Sequence, residues 1–359
     1  MRRKYFLNIV ILITILMAIG VNIYQGDLSD NEISDEGITS EGYTFNTKDI
    51  APEEKGFGGH IEMLVTLERE GSIKDVRVLA HSEASQYASG ITEPGFLDQF
   101  KGRSLRDGFI VGEDIDAITH ATISSKAVAR ILETCLQKID AVKHDREYTR
   151  EDRQVLSLDE DFYITVLVIT FLLIAFYLKF NWLRYTGLFI SIVYFGFWKA
   201  NFISMSNLGN IFLWRLPDPG SNIAWYVFIA TGLTLTFLLG GFYCSYMCPF
   251  GGLQIFLNKI FRSNIDITPA LARSLRRIRY FSLWILIILL LVLDNSNIVN
   301  YEPFSTVFLR RGSIVAWASA LIILILSLFH YRPFCSYFCA AGAFLEILTR
   351  LGRKVFRRT

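Results

Sequence analysis

Apolar and polar positions divide the chain into two regimes. Five long apolar runs, Phe162–Leu178, Leu183–Ala200, Asn222–Tyr243, Tyr280–Leu293 and Ser313–Phe329, fill its second half, and a sixth, Tyr5–Tyr24, follows the basic start Met1–Lys4. Runs of this length approach the roughly 20 residues needed to cross a hydrocarbon core of about 30 Å. The stretch between the first run and the others has a different rhythm. Gly58–Leu67 and Glu70–Leu79 alternate apolar and polar around Gly71, the period of a β-hairpin, and Lys126–Leu132 repeats its apolar residues at helical spacing. The pattern predicts an α-helical integral membrane protein with six transmembrane helices and an inserted α+β domain. Its parts are an anchor at 1–25, a polar and loosely ordered linker at 26–55, the inserted domain at 56–142, a charged connector at 143–161 and a five-helix membrane domain at 162–359. Tyr5–Tyr24 exceeds a signal-peptide apolar region of about 7–15 residues and lacks a following Ala-x-Ala site, which favours an uncleaved anchor.

Charge sharpens this division. Of 34 acidic residues, 28 lie between Asp27 and Glu160, alongside only 15 of the 36 Lys and Arg, so a net charge of +2 conceals an acidic domain and a basic membrane part. The basic residues flank apolar runs, where they orient a membrane protein, and no nucleic-acid function follows from them. With a cytoplasmic N-terminus, one set of flanks collects Arg2, Arg3, Lys4, Lys179, Arg184, Lys259, Arg262, Arg273, Arg276, Arg277, Arg279, Arg332, Arg350, Arg353, Lys354, Arg357 and Arg358, while the opposite short loops hold only Lys199, Arg215, Arg310 and Arg311. The bias predicts a multi-pass protein of the cytoplasmic membrane, both termini inside and the acidic domain outside. Ionisable groups are too scarce within the runs for a transport pathway.

Two stretches carry candidate chemistry. Asp116-Ala117-Ile118-Thr119-His120-Ala121-Thr122-Ile123-Ser124-Ser125 leads into the helical pattern, so its hydroxyls fall in or beside a first turn, where unpaired N–H groups and the helix dipole favour a phosphate. Ser and Thr at such a position also serve as plain N-caps. The second stretch is duplicated: Cys244-Ser-Tyr-Met-Cys248-Pro249 and Cys335-Ser-Tyr-Phe-Cys339 each follow an apolar run and precede a Gly-containing amphipathic segment. Spacing i, i+4 places the thiols of each pair on one helical face, and the two pairs supply four sulfurs, enough for a metal or an iron–sulfur cluster, or for a structural or redox-thiol role. The fifth cysteine, Cys135, sits beside Ile131 and Leu132 as a core residue.

The segment around Ser124 resembles the flavin-attachment motif of FMN-binding domains in the NqrC, RnfG and NosR families, Asp-x-x-Ser/Thr-Gly-Ala-Thr-x-Ser/Thr. Asp116, Thr119, Ala121 and Thr122 match, and Ser124 falls where the family joins FMN through its phosphate. His120 departs from the family's Gly. Upstream, His81-Ser82-Glu83 is similar to the His-x-Glu that ends the second strand of those domains, which gives His81 and Glu83 either a flavin-pocket role or the ordinary one of solvated strand-end residues. Phe96–Gly102 is similar to the Phe-x-x-Gln-Phe-x-Gly that follows.

An FMN-binding domain after one anchor, then helices bearing two Cys-x-x-x-Cys motifs, resembles the NosR family and its shorter RdhC or PceC-like relatives encoded with reductive dehalogenases. Ala340 stands where the family has a second Pro, and no ferredoxin-like Cys run follows as it does in NosR-type chains. The resemblance implies covalent FMN on Ser124 installed by a flavin transferase, and a possible cluster or metal at Cys244, Cys248, Cys335 and Cys339. It implies electron flow from menaquinol or a cytoplasmic-side donor to an exported reductase, a reductive dehalogenase foremost. The alternative is a membrane factor for the maturation of such a dehalogenase or of nitrous oxide reductase.

Overall fold

A computed structural model describes residues 38–39, 42–56, 59–81, 90–92, 94–118, 121–144, 146, 160–217, 222–261, 267–293 and 302–356. The anchor Tyr5–Tyr24, Glu83, Thr119 and His120 lie outside the described residues.

The acidic domain is a four-stranded antiparallel sheet in the order β1 (Ile38–Thr39), β2 (Gly42–Asn46), β3 (Ile61–Leu67), β4 (Ile73–His81). The alternation that predicts the hairpin is realised in β3, where Ile61, Met63, Val65 and Leu67 point inward and are at most 2% exposed. Gly71, at φ +89°, closes the turn and donates its N–H to Glu68 O. The stretch 26–55 is not linker throughout. Its Gly42–Asn46 pairs with β3 in the register Tyr43↔Leu67 to Asn46↔Leu64, and the short helix α1 (Thr47–Ile50) packs on the same strand. Acidic neighbours mask a five-residue strand whose apolar content is only Tyr43 and Phe45.

After the short α2 (Pro94–Leu97) and a 3₁₀ turn at Asp98–Phe100, the long helix α3 (Thr122–Lys143) completes this unit. Val128, Ile131, Leu132 and Cys135 on its buried face meet Met63, Val65, Val76 and Phe100 in one core. Cys135 is fully buried, as its spacing predicts, and burial pushes its thiol up to about 12.

In place of the six crossings that hydropathy predicts, the described residues contain two helices long and apolar enough to span a membrane, and a third if one bent pair counts as a single span. The two are α4 (Glu160–Leu178) and the segment Ile223–Gly240, made of α7 (Ile223–Leu235) and a π-helical turn at Thr236–Gly240. The run Leu183–Ala200 is divided between α5 (Asn181–Ser191), which carries Arg184, and a π-helix at Ile192–Trp198. The short α6 (Met205–Phe212) follows it. After a π-helical turn at Tyr243–Met247 and α8 (Pro249–Phe261), the run Tyr280–Leu293 proves to be the C-terminal half of α9 (Pro269–Leu293), whose N-terminal half carries four Arg. The last run forms α11 (Ile314–Phe329), which meets α10 (Pro303–Leu309) at 99°. The sharp bend passes through Arg310 at φ +56° and Gly312 at φ +157°. Helices α12 (Pro333–Tyr337) and α13 (Ala340–Phe356) end the chain.

These interruptions serve packing. Broken helices leave backbone groups that only protein neighbours can satisfy within a membrane. Here Tyr243 Oη accepts the Ile203 N–H at 2.8 Å, Glu302 Oε2 accepts the Met205 N–H at 2.9 Å, and Ser191 Oγ donates to Met247 O.

Candidate functional site

The first candidate region surrounds the start of α3. Ala121 occupies its N-cap, Thr122 opens the helix and is exposed, and Ser124 lies in the first turn, 2% exposed. The hydroxyl that ties this turn to the preceding loop is that of Ser125: it accepts the Ile118 N–H at 3.1 Å and donates to Ala121 O at 3.0 Å. The first bond inside the helix is Ser125 N–H on Ala121 O, so the N–H groups ahead of it lie where a helix start holds a phosphate.

Two sequence-predicted segments meet here. Asp116 is exposed, and its N–H donates to Gln99 Oε1 at 2.8 Å while Gln99 Nε2 reaches Asp116 O. The Gln of the Phe-x-x-Gln-Phe-x-Gly segment therefore fixes the approach to the Ser124 turn. Phe96, Phe100 and Phe109 stack behind it, with centroids 5.4 and 6.2 Å apart. His81 ends β4, and its Nδ1 is buried with no hydrogen-bond partner among the described residues. A buried polar atom without a partner fits a ligand group that supplies one, so the residues present are compatible with bound FMN.

The second region is the cysteine repeat, and its two copies match in backbone detail. Cys248 N–H donates to Tyr243 O at 2.7 Å and Cys339 N–H to Phe334 O at 2.9 Å, each a five-residue π-type closure. Gly252 N–H then donates to Cys248 O and Ala343 N–H to Cys339 O, at 3.0 and 3.1 Å. The i, i+4 reading needs correcting. Neither pair shares a continuous helix, because the chain is extended at Cys248 (ψ 115°) and breaks at Phe338. Each second cysteine instead caps the following helix: Cys248 Sγ accepts the Gly251 N–H at 3.4 Å, and Cys339 Sγ the Gly342 N–H at 3.1 Å. Pro249 and Ala340 both occupy the first helical position, where no internal N–H bond is lost, which makes Ala an adequate substitute for Pro.

All four cysteines line one cavity of about 350 Å³ together with Tyr243, Arg279 and Arg332. Buried Gln254 ties the copies together, donating to Cys335 Sγ at 3.1 Å and accepting the Phe334 N–H at 3.2 Å. Arg332 donates to Cys244 O at 2.5 Å. Arg279 donates to Cys335 O and Gly342 O, at 2.9 and 3.0 Å, and pairs with Glu346 at 2.6 Å. Burial pushes the Cys244 thiol up to about 11 against the opposing pull of Arg332.

Among the described residues, no three His, Cys, Asp or Glu side chains are grouped to hold a single metal ion. Four soft sulfurs spaced around a cavity match instead the Cys₄ set of an iron–sulfur cluster, an object several atoms across. Sequence reading misses Gln254, Arg279 and Arg332. Their one signal is polarity inside or beside apolar segments; their partners lie 56 to 88 positions away.

Comparison with known proteins agrees with this division. Residues 56–137 match the FMN-binding domain family, and residues 221–268 and 313–359 match the 4Fe-4S binding domain family, one segment for each cysteine pair. The chain is 30% identical over 185 residues to the regulatory protein NosR of Stutzerimonas stutzeri, covering 47% of this chain and 25% of that protein. It is 33% identical over 145 residues to protein NirI of Paracoccus denitrificans, covering 37% and 21%. Over 96 residues it is 31% identical to a component of the proton-translocating ferredoxin:NAD(+) oxidoreductase complex of Clostridium ljungdahlii, covering 25% and 51%. The chain thus spans about a quarter of the length of NosR and about half that of the Clostridium ljungdahlii protein.

Proposed function

Since the chain belongs to a NosR-like FMN-binding family and carries flavin and 4Fe-4S binding segments together, we propose that it passes electrons across the cytoplasmic membrane to an exported reductase. Menaquinol or a cytoplasmic-side reductant is the donor, and a reductive dehalogenase is the first candidate among acceptors. The observation that carries this reading is the convergence of all four repeat cysteines on one cavity in a chain that also holds a flavin domain. FMN, when bound, supplies one- and two-electron transfer.

The residues have separate tasks in this reading. Ser124 holds the flavin phosphate as an ester formed by a flavin transferase, with Thr122 and the N–H groups of the first turn solvating it. Asp116, Thr119 and Ala121 shape the turn, and His81 and Glu83 face the flavin from the strand end. A covalent bond suits a domain held outside, where a lost cofactor is not recovered. Cys244, Cys248, Cys335 and Cys339 hold the cluster. The charge bias of the basic flanks supports an orientation with these cysteines near the cytoplasmic face and the acidic domain outside.

Anaerobic addition of menaquinol to the purified full-length protein is expected to bleach the flavin absorbance. Absence of reduction on any timescale removes menaquinol as the donor and counts against electron transfer. The description of NosR as a regulatory protein favours the second reading, a membrane factor supporting maturation of an exported metalloenzyme. Gene neighbourhood separates a dehalogenase from a nitrous oxide reductase as the protein served.

A further inference from the structure

The two cysteine copies differ at one backbone position. Three residues before the first cysteine of each pair the chain is left-handed, at Gly241 (φ +63°) and at Arg332 (φ +52°). Glycine adopts this conformation freely, whereas a residue with a Cβ is strained in it. The second copy therefore carries strain that the first avoids, and strain of this kind persists where the surroundings hold the residue for a purpose.

The surroundings identify the purpose. Arg332 reaches across to the other copy and donates from Nη2 to Cys244 O, and room for its guanidinium depends on Gly251, where an added Cβ would stand 2.9 Å from Nη2. Its Nε is buried with no hydrogen-bond partner among the described residues, and the side chain lines the cavity beside all four thiols. Of the two other guanidinium groups lining the cavity, Arg279 already pairs with Glu346 and Arg353 lies against Gly240, whereas no carboxylate pairs with Arg332 among the described residues, and Arg332 alone reaches across to the backbone of the other copy.

We propose that Arg332 is the positioning residue that supplies uncompensated positive charge to the four-thiolate site and sets its reduction potential. This rests on the reading of that site as holding an iron–sulfur cluster. Reduction adds one electron, makes and breaks no bond, and leaves the cluster one unit more negative. A fixed cation therefore stabilises the reduced form more than the oxidised one, and net charge and hydrogen bonding near the sulfurs are established determinants of cluster potential.

Arg332→Gly tests the idea cleanly, because it installs the residue of the matching position and relieves the strain. The full-length protein is purified anaerobically, its iron and acid-labile sulfide are measured, and its visible and EPR signals are titrated with dithionite. Arg332→Gly is expected to keep its iron while the one-electron reduction equilibrium falls at least about tenfold, 59 mV at one electron. Arg332→Lys, which retains the charge, is expected to recover most of that shift. A wild-type potential in Arg332→Gly, or loss of iron in both variants, overturns the assignment of a charge role. Absence of iron and sulfide from the wild-type protein instead removes the cluster reading on which it rests.

Discussion

The flavin domain and the cysteine cavity solve opposite problems. The domain's core is closed and apolar from Met63 to Leu136, and its candidate site lies at the edge, at a helix start and a strand end. The membrane part leaves a cavity inside its own packing and lines it with thiols and three guanidinium groups. A site at the rim has to retain its cofactor, and in the proposed reading a covalent bond to Ser124 does so. A site in the interior has to balance charge where water cannot, and needs fixed cations and N–H donors aimed at sulfur. One hydroxyl therefore decides occupancy in the first region, whereas occupancy in the second depends on a set.

The largest expected effect follows from that contrast. Cys248→Ser or Cys339→Ser removes a sulfur ligand while leaving a hydroxyl able to cap the following helix, and iron and labile sulfide are expected to fall to background while the flavin stays. Equal loss of both cofactors would show that the regions are not independent. In the flavin domain, Ser124→Ala is expected to abolish the flavin fluorescence of the denatured polypeptide on a gel. Retained fluorescence would move the attachment away from Ser124, with Thr122 next to test.

Stability changes come next. Phe100→Ala empties a fully buried ring site between Phe96 and Phe109 and should destabilise the domain by about 3–5 kcal/mol, read by pulse proteolysis of the region before α4. Ser125→Ala leaves the Ile118 N–H without its acceptor and should cost about 1–2 kcal/mol, with fluorescence on the gel unchanged. Flavin loss in Ser125→Ala but not in Ser124→Ala would reverse the roles assigned to the two serines.

The two regions also differ in how much of them the sequence discloses. The hairpin is readable because one face of β3 is buried, which gives strict alternation at Ile61, Met63, Val65 and Leu67. The placing of Ser124 in a first helical turn is readable because the motif is local: turn and hydroxyl are neighbours in sequence. Strand β2 escapes because Tyr43 and Phe45 sit in a polar stretch and gain their meaning only from pairing with β3. The cysteine duplication is visible as a repeat, but its geometry is not, since the breaks at Cys248 and Phe338 arise where each π-type closure meets the next helix. Arg332 shows in the sequence only as one more basic residue beside an apolar run. Its significance appears only when its left-handed backbone is set beside Gly241. The span count fails for a related reason: hydropathy registers apolar length but not the π-helical switch at Ile192 or the 99° bend before Ile314.

The smallest expected effect tests how firmly the Gln99 segment is held on the sheet. Lys101 bridges Asp98 at 2.7 Å and Asp75 on β4 at 3.2 Å, while Arg77 binds the same Asp75 at 2.8 Å. Desolvation pushes the Asp75 carboxyl up, but the hydrogen bonds and charges of Lys101 and Arg77 outweigh it and hold the group below its ordinary 3.8. A carboxylate whose folded value is depressed adds stability above its unfolded value and loses it as pH falls through the folded one. The pair is largely solvated, so Asp75→Asn should cost at most about 1 kcal/mol near neutral pH, and the difference from wild type should shrink as pH drops below 3.8 and with added salt. A gap that persists in acid would mean that Asp75 acts through packing rather than charge, and that the Gln99 segment is fastened to the sheet by the Phe100 ring contacts and by the backbone bonds of Gly102 and Arg103 with Ile73.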